Sequence, residues 1–205
     1  MSISTAPHIE ASVSRDQVTG LVLAGGLGRR MGGVDKGLQL MAGRPLVAHV
    51  IERLAPQVAT LVINANRNEE AYRGFGYPVV GDTIEGFAGP LAGLQAGLTI
   101  CETPFLVCAP CDSPFLPVDL VTRLREEVER TDALIAMPYT PEGPQPVFAL
   151  MRRQVLPLLD AFLAAGGRGI QAWCHQLPLA LVEFADDGAF TNINTMEELS
   201  AFCRH

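Results

Sequence analysis

The residues best suited to chemistry lie in a glycine-rich segment near the start of the chain. Residues 21–36 combine a short apolar run with five glycines and three cations, Arg29, Arg30 and Lys36. Glycines let backbone N–H groups approach an anion closely, and a following helix directs the positive end of its dipole at that anion. The segment carries a net charge of +2 in a chain whose net charge is −7. We therefore expect a loop that binds phosphate groups.

Two familiar phosphate-binding patterns do not fit this segment. A Walker A loop needs a glycine directly before its lysine and Ser or Thr directly after it, whereas Lys36 lies between Asp35 and Gly37. The dinucleotide fingerprint finds Met31 at its third glycine, and the next strand ends at Asn64 instead of an acidic residue. The spacing disfavours both patterns. A glycine-rich turn with solvated cations stays open as an alternative.

Polar residues follow three of the predicted strands, at Asn64, Asp82 and Asp112. In an open parallel sheet, ligands bind beyond the carboxyl ends of the strands, so these residues should converge with the loop that follows Leu23. Carboxylates opposite a loop rich in N–H donors suit a nucleoside triphosphate with Mg²⁺, which bridges carboxylate and phosphate oxygens. Ordinary turn residues remain the alternative interpretation of both aspartates.

The elements that must position these residues alternate between strands and helices. Short β-branched or aromatic runs predict strands at residues 20–24, 60–64, 77–80, 105–109, 133–137 and 179–184. Helical patterns lie at residues 45–54, 91–100, 118–130, 155–165 and 170–177. The alternation predicts an α/β fold with a doubly wound, mostly parallel, Rossmann-like sheet. Because Pro144 and Pro146 cannot donate ladder hydrogen bonds, residues 144–150 should form an antiparallel or edge strand.

Length and composition favour one domain. The 205 residues are 48% hydrophobic and 18% charged, which suits a single substantial core at residues 19–205. Residues 1–18 are rich in serine and lack periodicity, so we expect a flexible leader there. No apolar run approaches the roughly 18 residues of a membrane span, and no signal peptide is evident, which predicts a cytoplasmic protein. The acidic balance disfavours a nucleic-acid surface.

The cysteine pattern favours reduced, buried thiols. Five cysteines, an odd number in a chain without an export signal, indicate a reducing compartment. Cys108 and Cys111 have C-x-x-C spacing, but the other three cysteines form no second pair for zinc. Residues three apart on a strand point to opposite faces, so a redox pair is also disfavoured.

Two asparagines near the C-terminus could act together. Asn192 and Asn194 are two residues apart, so an extended backbone would point both amides the same way. Thr195 and Glu198 follow at the spacing of a capping box and predict a final short helix. Ordinary asparagines before a helix remain the alternative.

Five motifs in order resemble those of the molybdenum cofactor guanylyltransferase family. They are Leu23-Ala-Gly-Gly with Arg30-Met-Gly-Gly-Val-Asp-Lys36, Val62-Ile-Asn-Ala-Asn66, Gly89-Pro-Leu-Ala-Gly93, Cys111-Asp-Ser-Pro114 and Asn192-Ile-Asn194-Thr195. One motif alone would resemble only the wider nucleotidyltransferase superfamily. The resemblance runs from about residue 20 to residue 198 and implies transfer of GMP from GTP to molybdopterin, with release of pyrophosphate.

The resemblance also implies roles for single residues. GTP contacts would fall on Leu23, Ala24, Gly25, Gly26, Lys36, Asn64, Asp82 and Asp112, the magnesium ligand on Asp112, and molybdopterin contacts on Asn192 and Asn194. Lys36, Arg30 and Asp112 would be the catalytic residues. The N-terminal half of the domain would bind GTP, and the C-terminal half would bind molybdopterin.

Partners and competing activities follow from the same resemblance. Related cytidylyltransferases usually resemble L-A-A-G, so Gly25-Gly26 favours guanine; Ser113 stands where threonine is common, and residues 143–147 replace a more polar segment. The implied partners are GTP, molybdopterin or molybdenum cofactor, cofactor-biosynthesis proteins and apo-molybdoenzymes. Cytidylyl transfer to the same cofactor, nucleotidyl transfer to a sugar phosphate, and GTP binding by a regulator without turnover stay open.

Overall fold

The computed structural model describes residues 15–24, 34–84 and 89–193, and these residues form an α/β fold. The strands are β1 (Val18–Leu23), β2 (Leu40–Met41), β3 (Arg44–Pro45), β4 (Thr60–Asn64), β5 (Val79–Val80), β6 (Phe105–Pro110), β7 (Ile135–Thr140), β8 (Gly143–Pro144), β9 (Leu150–Arg152) and β10 (Leu179–Glu183). The α-helices are α1 (Leu46–Leu54), α2 (Glu69–Arg73), α3 (Pro90–Ile100), α4 (Leu120–Thr131), α5 (Leu156–Ala164) and α6 (Ile170–Cys174).

The central sheet is mostly parallel. Its strand order in the described residues is β10-β7-β9-β6-β1-β4-β5, with β8 paired to β7. β1 pairs in parallel with β6 on one side and β4 on the other, and β4 continues in parallel to β5. β9 runs antiparallel between β6 and β7. The carboxyl ends of β1, β4, β5 and β6 therefore lie along one side of the sheet.

Helices cover both faces of the sheet, so the central strands are buried on both sides. α1 and α4 pack on one face through side chains such as Val50, Leu54, Leu120, Leu124 and Val128. On α4, the buried residues Leu120, Leu124 and Val128 recur every fourth position, which places them on one stripe of the helix. α3, α5 and α6 cover the other face. The doubly wound fold expected from the sequence is confirmed.

The predicted strands and helices are confirmed with small shifts in their bounds. The six predicted strands correspond to β1, β4, β5, β6, β7 and β10, although β5 is reduced to two residues and β7 reaches Thr140. The five predicted helices correspond to α1, α3, α4, α5 and α6. β1 begins at Val18, after a 3-10 helix at Arg15–Gln17, so the chain is already ordered at the end of the expected leader. Residues 1–14 and the expected final helix lie outside the described residues.

The segment at residues 144–150 differs from the expectation of a single strand. Gly143–Pro144 forms a short strand against β7, residues Pro146–Phe148 form a 3-10 helix, and the antiparallel strand β9, which also pairs with β7, starts at Leu150. The antiparallel direction is confirmed, but β9 lies inside the sheet and not at its edge. The two prolines that prompted the edge assignment stand before β9, so they remove no hydrogen bond from it.

No helix in the described part of the chain is long and apolar enough to cross a membrane.

Candidate functional site

The candidate site lies at the carboxyl side of the sheet, with β1 at its centre. The Ala24 N–H donates to the Asn64 carbonyl oxygen at 2.8 Å, and the Cys111 N–H donates to the Leu23 carbonyl oxygen at 3.0 Å. These bonds keep the segments that leave β1, β4 and β6 side by side. Ala24, which lies at the centre of this group, is the residue directly before the glycine-rich segment of the sequence. Gly25, Gly26 and Arg30 lie outside the described residues.

On the β4 side of β1, Asp82 is held by two asparagines. Asn64 Nδ2 donates to Asp82 Oδ1 at 2.9 Å, and Asn66 Nδ2 donates to Asp82 Oδ2 at 2.8 Å. The Asp82 N–H donates in return to Asn66 Oδ1 at 2.7 Å. Each oxygen of the carboxylate thus has an amide donor, which fixes its plane. We name Asn64, Asn66 and Asp82 the amide–carboxylate cluster.

The amide–carboxylate cluster rests on α3. Asn64 is only 2% exposed, and its amide also donates to the Val80 carbonyl oxygen at 3.2 Å. Gly93 of α3 lies so close that a Cβ there would overlap Asn64 Oδ1 and crowd Leu23 Cδ2. A glycine at this position lets the helix backbone approach the end of β4. The start of α3 therefore supports both the asparagine and the end of β1.

On the β6 side of β1, the ammonium of Lys36 meets the carboxylate of Asp112. Lys36 Nζ lies 3.3 Å from Asp112 Oδ2, although 76 residues separate the two in the chain. Lys36 is the only lysine among the 205 residues. Its side chain is 21% exposed and that of Asp112 is 12% exposed. The pair is therefore shielded from bulk water yet remains open to a ligand.

The surroundings of Asp112 disfavour its charged form unless a cation is near. Burial raises the pKa of the Asp112 carboxyl above its usual range, and the neighbouring Lys36 ammonium opposes this shift. The preceding thiol of Cys111 is buried, and its pKa lies well above the usual value for the same reason. The site thus combines a desolvated carboxylate with a single ammonium, and a bound cation would further favour the ionised carboxylate.

The C-terminal part of the chain returns to the Asp112 side of the site. The Ile193 N–H donates to the Asp112 carbonyl oxygen at 2.8 Å. The hydroxyl of Ser113, which is fully buried, donates to Asn192 Oδ1. Asn192 is thereby placed beside the carboxylate-bearing segment. Asn194 lies outside the described residues.

The structure brings the predicted residues into two groups that flank β1. Asn64 and Asp82 lie on the β4 side, and Lys36, Asp112 and Asn192 lie on the β6 side. Leu23 and Ala24 lie between the two groups, where β1 ends.

Sequence reasoning gave no role to three further polar residues of this region, Asn66, Asp35 and Tyr72. Asn66 stands two positions after Asn64 inside a quoted motif, so its spacing on an extended segment was an available signal. Asp35 directly precedes Lys36. Tyr72 offers no comparable signal, because only the fold brings it to Asp35.

The burial that the sequence predicts for the thiols is confirmed at the four described cysteines. Cys108 belongs to the core on the α3 face of the sheet and Cys111 to the core on the α1 face, so the two point to opposite sides. The four described cysteines are buried and unpaired in disulfides. Within the described residues, no three His, Cys, Asp or Glu side chains come together as a metal site.

An open, doubly wound sheet with a cation and a carboxylate meeting at its carboxyl side defines an α/β nucleotide-binding protein. Residues 20–180 match the MobA-like NTP transferase domain. A molybdenum cofactor guanylyltransferase of Cupriavidus taiwanensis is 55% identical over 194 residues, which cover 92% of this chain and 98% of the relative. The chain therefore belongs to the molybdenum cofactor guanylyltransferases within the MobA-like NTP transferase family, and it is an enzyme.

Solved structures agree on the fold. The molybdopterin-guanine dinucleotide biosynthesis protein A of Archaeoglobus fulgidus superposes with a TM-score of 0.74 at 24% identity, over 90% of this chain and 96% of that one. The 4-diphosphocytidyl-2C-methyl-D-erythritol synthase of Anaerococcus prevotii gives a TM-score of 0.73 at 9% identity, over 92% and 95%. The fold is thus shared by proteins whose names point to different nucleotides, and it does not by itself select the base.

Proposed function

We propose that this enzyme transfers GMP from GTP to the molybdopterin form of the molybdenum cofactor and releases pyrophosphate, with Mg²⁺ as its metal. The observation that carries the proposal is the Lys36–Asp112 pair at the carboxyl side of β1 and β6, in a chain whose relatives are named for guanylyl transfer. The pair offers one cation for phosphate oxygens and one carboxylate for a metal. Transfer from a nucleoside triphosphate needs both the cation and the metal-binding carboxylate.

The residues present fit a magnesium ion that is shared with the substrate. Mg²⁺ usually binds through one or two carboxylates and completes its octahedron with water and substrate phosphates. Asp112 is a single buried carboxylate whose charge the protein only partly compensates. The described residues offer no group of three ligands that would hold a metal alone. Asp112 would hold the ion, which would neutralise charge on the phosphates.

The reaction needs no protein nucleophile. A bond forms between a terminal phosphate oxygen of molybdopterin and the α-phosphorus of GTP, and the bond from that phosphorus to the pyrophosphate oxygen breaks. The attacking oxygen is already anionic, so no base has to remove a proton. Lys36, Arg30 and the N–H groups of the glycine-rich loop would stabilise the negative charge that leaves with pyrophosphate.

GTP would then extend from the β4 side of β1 to Lys36 and Asp112 on the β6 side, where molybdopterin would also bind. Leu23, Ala24, Gly25, Gly26, Asn64 and Asp82 would hold GTP, with Gly25-Gly26 selecting guanine. Asn192 and Asn194 would contact molybdopterin. The bond between Ser113 and Asn192 supports this arrangement, because it joins the proposed pterin side to the segment that carries Asp112. The N-terminal half of the domain would thus bind the nucleotide and the C-terminal half the pterin.

A nucleotide panel tests the proposed function. The enzyme is incubated with molybdopterin, Mg²⁺ and, in turn, GTP, ATP, CTP or UTP, and pyrophosphate release is measured. We expect release with GTP and formation of the guanine dinucleotide, identified by mass spectrometry. Efficient release with CTP, or with a sugar phosphate in place of molybdopterin, would contradict the proposal. A binding protein without catalysis would retain GTP and release no pyrophosphate.

A further inference from the structure

The residue before Lys36 is held by three side chains. Tyr72 Oη donates to Asp35 Oδ1 at 2.5 Å, and Asn68 Nδ2 donates to Asp35 Oδ2 at 3.0 Å. Gln39 Nε2 donates to the Asp35 carbonyl oxygen at 3.2 Å. Both oxygens of the Asp35 carboxylate are therefore bound by residues of α2 and its start. The chain at Lys36 is fastened to α2 immediately before the lysine.

Asp35 and Asn68 both stand where a side chain usually caps a helix. Asp35 precedes the 3-10 helix Lys36–Leu38, and Asn68 precedes α2, but neither side chain makes a cap hydrogen bond. Such residues normally accept a bond from the first N–H groups of their helix. Asn68 also adopts a left-handed backbone, with φ of 52°, which is uncommon outside glycine. The side chains of Asp35 and Asn68 therefore do not cap their own helices; they bond to each other and join the start of the 3-10 helix to the start of α2.

Tyr72 supplies the strongest of these bonds from a buried position. Its side chain is completely buried, and a buried hydroxyl without a partner is costly. Burial and nearby negative charge raise the pKa of Tyr72, so its hydroxyl remains a protonated donor. A hydrogen bond to a carboxylate is about twice as strong as one between neutral groups. The position of Asp35 is therefore closely determined by that of Tyr72.

The same hydroxyl also contacts the residue after Lys36. A Cβ added to Gly37 would lie 2.5 Å from Tyr72 Oη and 3.1 Å from Cys111 Sγ. The backbone at Gly37 is thus packed closely against both Tyr72 and Cys111, the residue that precedes Asp112. Tyr72 consequently touches the chain on both sides of Lys36, at the point where that chain crosses the end of β6.

We propose that Tyr72 is a positioning residue for Lys36: through Asp35 and Gly37 it fixes the direction in which the ammonium reaches Asp112 and the phosphates of the substrate. The inference rests on the role of Lys36 in the proposed function. Tyr72 itself would not touch a substrate, because its side chain is completely buried. Its effect passes through the backbone of residues 35–37, so it should change the rate of transfer more than the binding of GTP.

Kinetics of Tyr72→Phe give the first test. This variant keeps the buried ring and removes only the donor, and we expect kcat to fall roughly 10- to 100-fold, the range set by loss of a hydrogen bond to a charged group, with little change in KM for GTP. Asp35→Asn, which removes the charged acceptor at a partly exposed site, should lower kcat in the same way and decides the question if Tyr72→Phe does not fold. Thr19→Val is the control, because it removes a hydroxyl bonded to Thr103 at 2.7 Å at the opposite end of β1.

A second test measures the environment of the Lys36 side chain directly by NMR. Since the chain has one lysine, protein labelled with ¹³C at the lysine ε-carbon gives a single side-chain NMR signal. Tyr72→Phe and Asp35→Asn should shift or broaden this signal, and Thr19→Val should leave it in place. In the Lys36→Ala background, Tyr72→Phe should cause no further loss of kcat, because the two residues act on one interaction.

Two results would overturn the inference. One is full kcat in Tyr72→Phe and Asp35→Asn; the other is an equal loss of kcat whether or not Lys36 is present. Failure of the proposed function gives a different pattern, since the unmodified enzyme would then form no guanine dinucleotide at all. The NMR measurement does not depend on turnover. An unchanged lysine signal in both variants would therefore count against the inference in either case.

Discussion

Lys36 and Asp112 form a contact that compensates the charge of the Asp112 carboxylate while no substrate is bound. A buried carboxylate is disfavoured unless a cation is near, and Lys36 is the cation that lies 3.3 Å away. The arrival of a triphosphate with its metal would give both residues alternative partners of opposite charge. The pair is thus suited to exchange its mutual contact for contacts with substrate, without leaving either charge uncompensated.

Removal of the Lys36 ammonium should slow the transfer reaction strongly. We expect Lys36→Ala to lower kcat by about 10²- to 10³-fold, the loss seen when one preorganised electrostatic group is deleted. Lys36→Arg should recover part of the activity, because the charge remains but the guanidinium places it differently. Steady-state rates at saturating GTP and molybdopterin measure both effects. Turnover at the normal rate in Lys36→Ala would remove this lysine from the mechanism.

Substitution of Asp112 should separate activity from stability. Asp112→Asn keeps the size of the side chain and removes its charge, so metal-dependent transfer should be lost even at high Mg²⁺. Deleting a buried charge also removes its desolvation cost, and we expect the thermal midpoint to change by less than about 4 °C, the shift that roughly 1 kcal/mol produces in a domain of this size. Calorimetry and pyrophosphate release test the two parts separately. Normal transfer in this variant would contradict the metal assignment.

At the level of elements, α3 supports the proposed nucleotide side of the site. Its second turn contains Gly93 against Asn64 and Leu23, and its third contains Gly97 against Leu21. Both glycines permit close packing of helix on sheet. Only Gly93, however, lies under the amide–carboxylate cluster. The helix therefore has one glycine that serves the site and one that serves the core.

This difference gives a matched pair of variants. Gly93→Ala should displace the Asn64 amide and raise KM for GTP several-fold, whereas Gly97→Ala should disturb only Leu21 in the core. Each should also lower stability by about 1–3 kcal/mol, as overpacked core positions do. Chemical denaturation and GTP-dependent kinetics of both variants measure the effects. An unchanged KM in a folded Gly93→Ala protein would argue against a role of Asn64 in nucleotide binding.

The elements that sequence patterning places least well lie around β9. Pro138 stands inside β7, which is an unusual position for a residue without an N–H group. β10 pairs with β7 through Pro138, but on the other side of β7 there is a gap, because β9 pairs only at Ile135 and Ala136 and β8 only at Tyr139 and Thr140. Between β8 and β9 the chain leaves the sheet and forms the 3-10 helix at Pro146–Phe148. The proline therefore occupies the gap between two short partners, an arrangement that depends on tertiary pairing and has no local signal.

For the molecule as a whole, the repeated alternation of elements was sufficient to predict the fold class. Buried parallel strands appear in the sequence as apolar runs. Helices such as α4 show apolar residues at the three- to four-residue spacing of a half-buried helix. Local patterning also placed Asn64, Asp82 and Asp112 at strand ends, because strand ends are marked in the sequence. It could not show that Tyr72 binds Asp35 or that Asn192 binds Ser113, since these contacts span 37 and 79 residues.

Burial of the cysteines predicts that their thiols react with alkylating reagents only when the whole domain unfolds. Burial raises the pKa of Cys108 and of Cys174 to about 12, so at pH 8 only ~10⁻⁴ of each would be thiolate, the reactive form. We expect iodoacetamide to modify the four described cysteines only when the domain unfolds, with rates that rise in urea along the unfolding curve. Peptide mapping by mass spectrometry measures each site. Rapid modification of Cys108 in the native protein would revive the redox interpretation.

Two hydrogen bonds join the end of β6 to a segment near residue 193, and they have a consequence for synthesis of the chain. Ile193 donates to Asp112, and Ser113 donates to Asn192. During translation, the sheet from β1 to β6 emerges about eighty residues before the segment that carries Asn192. A nascent chain would therefore complete the proposed nucleotide side early, yet the end of β6 would lack its contacts with Asn192 and Ile193 until the last part of the domain is made. Competence for transfer would then arise late in synthesis, and a chain that stopped short of residue 192 would hold its carboxylate segment without this anchor.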